Sequence, residues 1–367
     1  MATIGDSGAP AQNTINYDAL LSTTLFNYRK VMVDNIFRSN AFLAALKKYD
    51  GIRYQDGGER IQELLMYEDN KTVKSYQGYE TLDTTPQDGM TSAFFPWKEV
   101  AGTISISRKE ERQNSGEARI LNLLEQKIKQ AEMSMKSSIN SQLVLGTVDT
   151  ATFVPGNSTK DVFPLGYFLS KDNTAAPVAG GNVGDIARTN SWWRHRTAVL
   201  NSGTADTGNA FALSVSTYTG LRVALYRMYN YCVRGGDGSG PNIVLADQVT
   251  YETYENSLDQ QKRYGDETLV SMGFDNVKLK GATMIWDELV PDIDSGTAAL
   301  TTGTAFFLNT MFFKLVIDRM TDFVTTPFIE PENQTAKTAK ILFMGNTTVC
   351  NPRKLGVCYA ISQSITS

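Results

Sequence analysis

The sequence predicts an α+β fold, because strand patterns and helix patterns alternate along one chain of 367 residues. Residues 100–107, VAGTISIS, alternate apolar and small polar side chains, which is typical of a strand with one covered face. Residues 114–146 carry apolar side chains three or four positions apart, which predicts one long helix. After residue 214, short strand-like runs alternate with further helical segments.

Composition indicates an ordinary globular chain, with 41% hydrophobic and 20% charged residues. Its length is enough for a sizeable core, in two domains more readily than in one. A net charge of -4 argues against a surface built to grip nucleic acid. No apolar run approaches the ~18 residues of a membrane span, and residues 1–16 lack the pattern of a secretory signal. Three scattered cysteines favour a reducing compartment, so we expect a soluble cytoplasmic protein without a membrane partner.

The N-terminal part divides into two predicted segments. Residues 1–15 are rich in Gly, Ala, Ser, Pro and Asn, which indicates a flexible arm that orders only against something else. Residues 17–49 repeat apolar side chains near helical spacing, which predicts a helix.

Two strand patterns follow, separated by a long irregular stretch. They are ERIQELLMYE at residues 59–68 and VAGTISIS at residues 100–107. The simplest geometry pairs them as an extended two-stranded arm with an irregular tip. Loops as long as the ~30 residues between them are uncommon in compact domains and are usually functional.

The long helix has the clearest pattern in the chain. Asn114 and Glu117 form a plausible capping arrangement and Gly146 a plausible stop. A helix of ~30 residues spans ~45 Å, so it would serve as a strut. Its candidate packing residues are Ile120, Leu124, Ile128 and Met135.

The remainder of the chain predicts a second region of mixed structure. Residues 150–210 are loop-rich and contain the aromatic motif SWWRHR, with Trp192 and Trp193. Beyond them we expect helices at 217–233 and 251–261, strands at 242–247, 277–288, 305–310 and 312–317, and a closing pair of strands at 339–350 and 355–362 around a turn.

Residues with catalytic or metal-binding potential are few, and we predict no catalytic site, no metal site and no cofactor. His195 is the sole histidine, and the sequence shows neither a nucleophile nor a carboxylate to orient it, so we expect a structural or interface role. PDIDSG at residues 291–296 lacks the spaced ligands of a calcium loop and fits a surface turn better. GGDGSG at residues 235–240 follows a helix and fits a helix stop. Cys350 and Cys358 are expected to be free thiols even if the closing strands bring them together.

The predicted arm carries many aromatic side chains that an irregular tip cannot enclose. Exposed aromatics in such numbers invite aggregation unless a partner covers them, and aromatics are preferred interface anchors. The alternative is that the segment folds back onto its own domain. The candidate contact residues are Tyr67, Tyr76, Tyr79, Phe94, Phe95 and Trp97.

Charge supports contact between copies of the chain. Residues 56–99 contain nine acidic and four basic residues, whereas residues 333–367 contain four basic residues and no acidic one. An acidic arm on a basic patch of an adjacent copy would be electrostatically steered, and head-to-tail contacts of this kind close into rings or extend as lattices. The candidate basic docking surface comprises Lys337, Lys340, Arg353 and Lys354.

The order of these parts resembles the major capsid proteins of tailed bacteriophages, the Johnson-fold family, over nearly the whole chain. The matching segments are residues 57–107 for the extended loop, NSGEARILNLLEQKIKQAEM (114–133) for the spine helix, FPLGYFLSKDN (163–173) and VGDIARTNSWWR (183–194) for the region after it, and NIVLADQVTYETYE (242–255) with VKLKGATMIWDE (277–288) for the axial domain. No single segment is specific; their order carries the resemblance.

The resemblance implies a division of the chain into the parts of that family. These are an N-terminal arm (1–15), an N-terminal helix region (16–55), an extended β-hairpin loop (56–110), a spine helix with a peripheral domain that includes Trp192 and Trp193 (111–205), an axial domain (206–332) and C-terminal strands returning to the peripheral domain (333–367).

The resemblance also implies a function without enzymatic chemistry. Relatives assemble through pentamers and hexamers into an icosahedral virion shell in the host cytoplasm, around double-stranded DNA that they do not bind sequence-specifically. It implies a portal as a partner, and leaves room for a decoration protein. It also implies a separate scaffolding protein, because the arm before the first helix is short. An encapsulin-like shell around a protein cargo is the near alternative. An oligomeric enzyme or ligand-binding protein, whose arm serves only dimerisation, is the alternative from another class.

Overall fold

The computed structural model describes residues 40–113, 123–149, 152–154, 160–174, 182–202, 210–235, 238–258, 277–294, 302–331 and 335–365. The helices are α1 (Ala41–Lys48), α2 (Arg108–Gln113), α3 (Leu123–Val144), α4 (Leu165–Phe168), α5 (Tyr218–Val233) and α6 (Gln248–Asn256), with 3-10 turns at Ser191–Trp193 and Pro352–Lys354. The strands are β1 (Ile52–Gln55), β2 (Arg60–Met66), β3 (Met90–Pro96), β4 (Glu99–Ser107), β5 (Thr147–Asp149), β6 (Thr152–Val154), β7 (Arg196–Val199), β8 (Asn201–Ser202), β9 (Phe211–Ser214), β10 (Ile243–Ala246), β11 (Val277–Leu279), β12 (Ala282–Trp286), β13 (Gly303–Leu308), β14 (Phe313–Asp318), β15 (Val324–Thr325), β16 (Ala336–Val349) and β17 (Gly356–Ile361). The predicted mixed fold class is confirmed.

The chain forms two compact units. The first comprises Met1–Phe37, Gly102–Ser134 and Thr325–Ile341, and the second comprises Arg38–Ala101, Met135–Val324 and Leu342–Ser367. Within the first unit, ion pairs join Lys127 to Glu110 and Lys337 to Glu111, each at 2.9 Å.

The core of the second unit lies on an eight-stranded sheet with the order β11-β12-β10-β13-β17-β7-β9-β8. Every residue of the central strand β10 is buried, as is typical of strands covered on both faces. Helix α5 packs an apolar stripe on this core, and Thr217 caps its N-terminus by accepting a hydrogen bond from the Gly220 amide at 3.2 Å. The stripe consists of Leu221, Ala224, Leu225, Met228 and Cys232.

A second, five-stranded sheet has the order β1-β14-β16-β15, and β4 pairs with β16. The predicted closing pair of strands is therefore wrong as a pair: both strands form, but β16 joins this sheet and β17 lies between β13 and β7 in the other. Alternation along each strand indicated a covered face, and it could not identify the partner strand. The cysteines are free, as expected, with Cys232 and Cys358 buried.

The predicted arm forms with a different partner strand. β2 pairs with β3 in an antiparallel ladder that runs from Arg60 opposite Pro96 to Met66 opposite Met90. The predicted partner, residues 100–107, lies in β4 instead. Residues 90–96, which were assigned to the irregular tip, supply the second strand, so the tip shortens to residues 67–89.

The long helix is described from Leu123 to Val144, 22 residues that span about 33 Å. The proposed cap at Asn114 and Glu117, and the packing residue Ile120, lie outside the described residues, as do the N-terminal arm and most of the first helix. Met135 is buried and Ile128 is half-buried.

Two elements of the second unit differ from their predicted form. Residues 277–288 make two strands because the chain turns at Lys280, whose φ is 53°, and not one strand. Helix α6 begins at Gln248, earlier than predicted, because Asp247 caps it by accepting a hydrogen bond from the Thr250 amide at 3.1 Å.

Candidate assembly surface

We use "arm" for β2, β3 and the distal loop of residues 67–89 between them. Side chains of the two strands alternate between a covered and an open face. The covered face packs on the second unit, and its Phe95 ring lies 6.2 Å from that of Phe168, centroid to centroid. This inner face consists of Ile61, Glu63, Leu65, Ala93 and Phe95, all of them buried.

The burial of Phe95 overturns its prediction as an inter-subunit anchor. Its side chain is 0% exposed within its own chain, so it has no surface to offer a partner. The amide of Phe94 donates to the Gly184 carbonyl at 3.1 Å, which brings the backbone of residue 184 against the strand. Gly184 has a φ of 60°, and a Cβ there would lie 2.8 Å from the Ala93 Cβ, so glycine permits this close approach. For Phe95, the alternative that the segment folds back is the correct one.

A buried polar contact fixes the inner face in position. Glu63 accepts a two-pronged hydrogen bond from Arg53, with distances of 2.6 Å to Oε1 and 3.2 Å to Oε2. The Thr348 hydroxyl also donates to Glu63 Oε1, at 3.1 Å. Because a one-residue slip of β2 would turn Glu63 outward and break these bonds, they help to specify the register of the ladder.

The opposite face of the ladder exposes four apolar side chains next to the polar Arg60, Gln62 and Ser92. Leu64 and Met66 are 79% and 78% exposed, Met90 is 73% exposed, and Phe94 is 37% exposed. We call these four residues the outer arm face. The sequence prediction named only Phe94 among them. The missed signal was that RIQELLM has apolar side chains at odd and even positions, which a strand with one solvated face lacks.

The distal loop adds further exposed apolar side chains. Tyr76 and Tyr79, both predicted contact residues, are exposed in the described chain, as are Val73 and Leu82. Local hydrogen bonds shape the loop, including Thr85 hydroxyl to Asp83 at 2.5 Å and Lys74 Nζ to the Thr81 carbonyl at 2.9 Å.

Aromatic residues at both ends of the ladder make contacts within the arm's own unit. Tyr67 stacks on Trp192 with ring centroids 5.1 Å apart, and its hydroxyl donates to the Asp88 carbonyl at 2.9 Å. Trp193 is buried, and its indole N–H donates to the Val183 carbonyl at 2.9 Å. Trp97 is half-buried at the opposite end of the ladder, with its indole N–H on the Gly58 carbonyl at 2.8 Å. Tyr67 and Trp97 are thus partly engaged within the chain.

The segment under Phe95 is held by a buried cation and by the sole histidine. Arg188 donates to the carbonyls of Tyr167 at 2.7 Å and Phe168 at 2.9 Å, and burial lowers the pKa of its guanidinium to about 10. His195 is fully buried, with Nε2 2.7 Å from the Ser170 carbonyl. Burial, and next the nearby Arg188 charge, lower its pKa to about 3, so the ring is neutral and structural.

The predicted basic docking surface does not consist of four surface cations. Lys354 is 1% exposed, and its ammonium donates to the carbonyls of Val233 at 3.1 Å and Ser239 at 3.3 Å, so its inclusion was wrong. Arg353 is exposed in the same unit. Lys337 and Lys340 belong to the first unit, where Lys337 pairs with Glu111.

The acidic turn at residues 291–296 is not at the surface where it is described. Asp292 is fully buried and accepts hydrogen bonds from the amides of Asp294 at 2.9 Å and Thr302 at 2.8 Å. In the described part of the chain, no group of three or more His, Cys, Asp or Glu could hold a metal ion. None of the described helices is both long enough and apolar enough to cross a membrane.

Sequence comparison finds no matching family model and no matching curated protein. Comparison with solved structures finds whole-chain similarity. The cyanophage A-1(L) capsid subunit aligns with a TM-score of 0.62 at 14% identity, over 95% of this chain and 99% of that chain. The capsid of Myoviridae phage XM1 aligns with a TM-score of 0.55 at 13% identity, over 91% and 96%. The SrpI encapsulin of Synechococcus elongatus PCC 7942 aligns with a TM-score of 0.53 at 7% identity, over 95% and 97%.

The coverage is nearly complete in both directions, so the similarity concerns the whole architecture and not one shared motif. It confirms the fold that the order of segments predicted. The chain therefore has the fold shared by the shell proteins of tailed-phage capsids and encapsulins.

Proposed function

We propose that this chain is the structural subunit of a tailed-phage capsid, and that it self-assembles through pentamers and hexamers into an icosahedral shell around double-stranded DNA. The fold supports this, because the cyanophage A-1(L) and phage XM1 subunits that share it form capsids. In this proposal the shell forms in the host cytoplasm, and the subunit itself has no catalytic role.

The outer arm face carries the proposal. It places three large apolar side chains, each more than 70% exposed, side by side on an extended ladder. Contiguous exposed apolar surface on a folded chain marks an interaction site or an aggregation hazard. The inner face of the same ladder is held by Phe95 and Glu63, so the arm is a fixed platform that presents the outer face.

The first test asks whether the purified chain assembles into particles. Purified chain is examined by sedimentation velocity and electron microscopy, with polyethylene glycol as a crowding agent if it remains unassembled. We expect closed shells or capsomer-sized rings. A chain that stays a monomer or dimer under these conditions, and also with the proposed scaffolding protein added, contradicts the proposal.

A matched pair of variants tests the role of the arm. Met66→Glu should leave the subunit folded and abolish assembly, because a carboxylate buried in an apolar contact is costly. Met320→Glu is the control, since Met320 is 77% exposed, as Met66 is 78% exposed, but lies outside the arm. Equal assembly by both variants would contradict a role for the outer arm face.

The encapsulin-like shell is the second candidate, because SrpI encapsulin shares the fold over 95% of this chain. Particles purified from cells distinguish the two. Nuclease-protected double-stranded DNA supports the capsid, and a co-purifying protein cargo without DNA supports the compartment. For the capsid we further propose a portal, a separate scaffolding protein and, optionally, a decoration protein as partners, with DNA held inside without sequence-specific contacts.

A further inference from the structure

Three arginines lie where three elements of the second unit meet. Arg196 opens β7, Arg234 directly follows α5, and Arg353 lies in the 3-10 turn Pro352–Lys354. We call Arg196, Arg234 and Arg353 the arginine triad. These three segments, residues 191–199, 227–235 and 349–356, contain no acidic residue.

Backbone contacts fix the three elements against one another. The Arg196 amide donates to the Leu355 carbonyl at 3.0 Å, which joins β7 to the segment after the turn. The buried Lys354 ammonium donates to the Val233 carbonyl at 3.1 Å, which joins the turn to the end of α5. The Arg234 guanidinium lies over the Tyr231 ring, 4.2 Å from its centroid, a cation–π contact that orients it. The backbone segments that carry the triad, and the Arg234 guanidinium, are therefore held in place by contacts within the chain.

The triad carries three positive charges that no direct ion pair with a described residue neutralises. None of its members forms an ion pair with a described residue, and the half-buried Arg196 has a buried Nε without a hydrogen-bond partner there. Burial, and then the neighbouring Arg353 and Arg234 charges, lower the pKa of Arg196. A planar guanidinium offers paired N–H donors that match a carboxylate. A cluster of guanidinium groups without ion-pair partners is suited to binding an anion.

The distal loop of the arm carries the complementary charge. Residues 67–89 contain five acidic residues and two lysines. Glu68 pairs with Lys71, and Asp83 accepts hydrogen bonds from Thr85. The exposed carboxylates without an ion pair to a described residue are those of Asp69, Glu80, Asp83 and Asp88.

A groove of about 570 Å³ places one member of the triad, Arg353, beside the arm. Its lining includes Leu64, Met66 and Trp192, together with Glu68 and Asp69 of the same chain's distal loop. A partner that enters this groove would therefore contact Arg353 and part of the outer arm face.

Building on the proposed function, we propose that the arginine triad binds carboxylates of the distal loop of a second copy of this chain. Among the described residues no ion pair joins the triad to the distal loop of its own copy, and Glu80 and Asp88 do not line the groove that contains Arg353, so pairing of these two with the triad of another copy would be head-to-tail, as in rings and lattices. The phosphates of DNA are the competing anion. The net charge of -4 and the small size of the cluster favour the carboxylate.

Charge reversal and charge exchange in the full-length chain test this site. Arg234→Glu with Arg353→Glu should raise the concentration needed for assembly by at least ~10-fold. Glu80→Lys with Asp88→Lys should do the same. All four substitutions together should restore assembly to within ~3-fold of wild type, because the pairing is rebuilt with reversed signs. The matched controls are Arg227→Glu, on the exposed side of α5, and Glu252→Lys, on α6, which should assemble as wild type does.

The outcomes separate this site from the general proposal. If the wild type assembles and both reversed variants assemble equally well, the site is wrong and the capsid proposal stands. If the triad variant assembles normally but loses affinity for a short double-stranded DNA that the wild type binds, the ligand is phosphate and the carboxylate assignment is overturned. A four-substitution variant that assembles no better than the two-substitution variants also overturns it. A wild-type chain that does not self-associate overturns the proposed function and this site together.

Discussion

The two faces of the arm share one backbone and differ in what covers them. The inner face contains Phe95 and Glu63, both buried within the chain. The outer face presents Leu64 and Met66 with nearly four fifths of each side chain exposed. The comparison teaches that neighbouring residues of one strand have different roles. Those on the inner face stabilise the subunit, and those on the outer face remain available for contact between copies.

Removing the Phe95 ring should have the largest effect on the subunit. Phe95→Ala should lower the free energy of unfolding by about 3–5 kcal/mol, because it leaves a cavity against Phe168 and Gly184. Urea denaturation of unassembled protein measures this. Phe94→Ala is the neighbouring control on the outer face and should cost less than about 1 kcal/mol. Equal losses from the two variants would erase the distinction between the faces.

The buried His195, in the segment beneath the inner face, should make the folded subunit less stable in acid. The pKa of His195 is about 3 in the folded chain and about 6.5 when unfolded, so the unfolded state takes up a proton first as the pH falls. The stability from this group is complete above about pH 6.5 and is lost progressively towards pH 3, with about 2 kcal/mol lost by pH 5. The groups that shift this pKa besides burial are Arg188, Ser170 and Asp172.

Urea denaturation at pH 7.5 and pH 5 measures the His195 effect. His195→Gln is the control, because its amide can donate to the Ser170 carbonyl but does not titrate. The variant should lose about 2 kcal/mol less than the wild type over this interval. The same loss in both would assign the acid sensitivity to other groups.

The stacking of Tyr67 on Trp192, at the start of the distal loop, should contribute a smaller free energy. A double-mutant cycle of Tyr67→Leu and Trp192→Leu should give an interaction free energy of about 0.5–1.5 kcal/mol, because the rings are stacked in the isolated subunit. A coupling energy of zero would mean that the stacking does not hold the start of the distal loop to residues 191–193.

The outer face and the distal loop should have the smallest effect on the subunit. Leu64→Ala and Tyr79→Ala should each change the free energy of unfolding by less than about 0.5 kcal/mol, since both side chains are exposed. The same variants should weaken assembly. A substantial loss of subunit stability would show that these residues pack within the chain.

Sequence patterns predicted the longer described helices α3, α5 and α6, and α1 within a longer predicted helix, but missed the short helices α2 and α4 and the strands β1, β3, β5 to β9 and β15. The helix at Tyr218–Val233 and the strand at Ile243–Ala246 follow from periodicity and end signals, which are local. The order of the segments predicted the fold, because order survives where identity falls to 14%.

Strand partners and burial were harder to predict. VAGTISIS was expected to pair with β2, and residues 90–96 took that place, because alternation reports a covered face without naming its partner. Phe95 and Lys354 were assigned to the surface, and both are buried by contacts from distant residues: Gly184 for Phe95 and Val233 for Lys354. Such contacts depend on the tertiary fold, which local sequence does not encode.

The central claim is that the outer arm face becomes an interface between copies. Oxidative footprinting read by mass spectrometry measures it directly on Met66 and Met90, in unassembled and in assembled wild-type protein. Met228, which is fully buried in the subunit, is the internal control and should be protected in both states. We predict that Met66 and Met90 oxidise readily before assembly and are strongly protected after it. Equal oxidation of Met66 and Met90 in the two states would contradict the account.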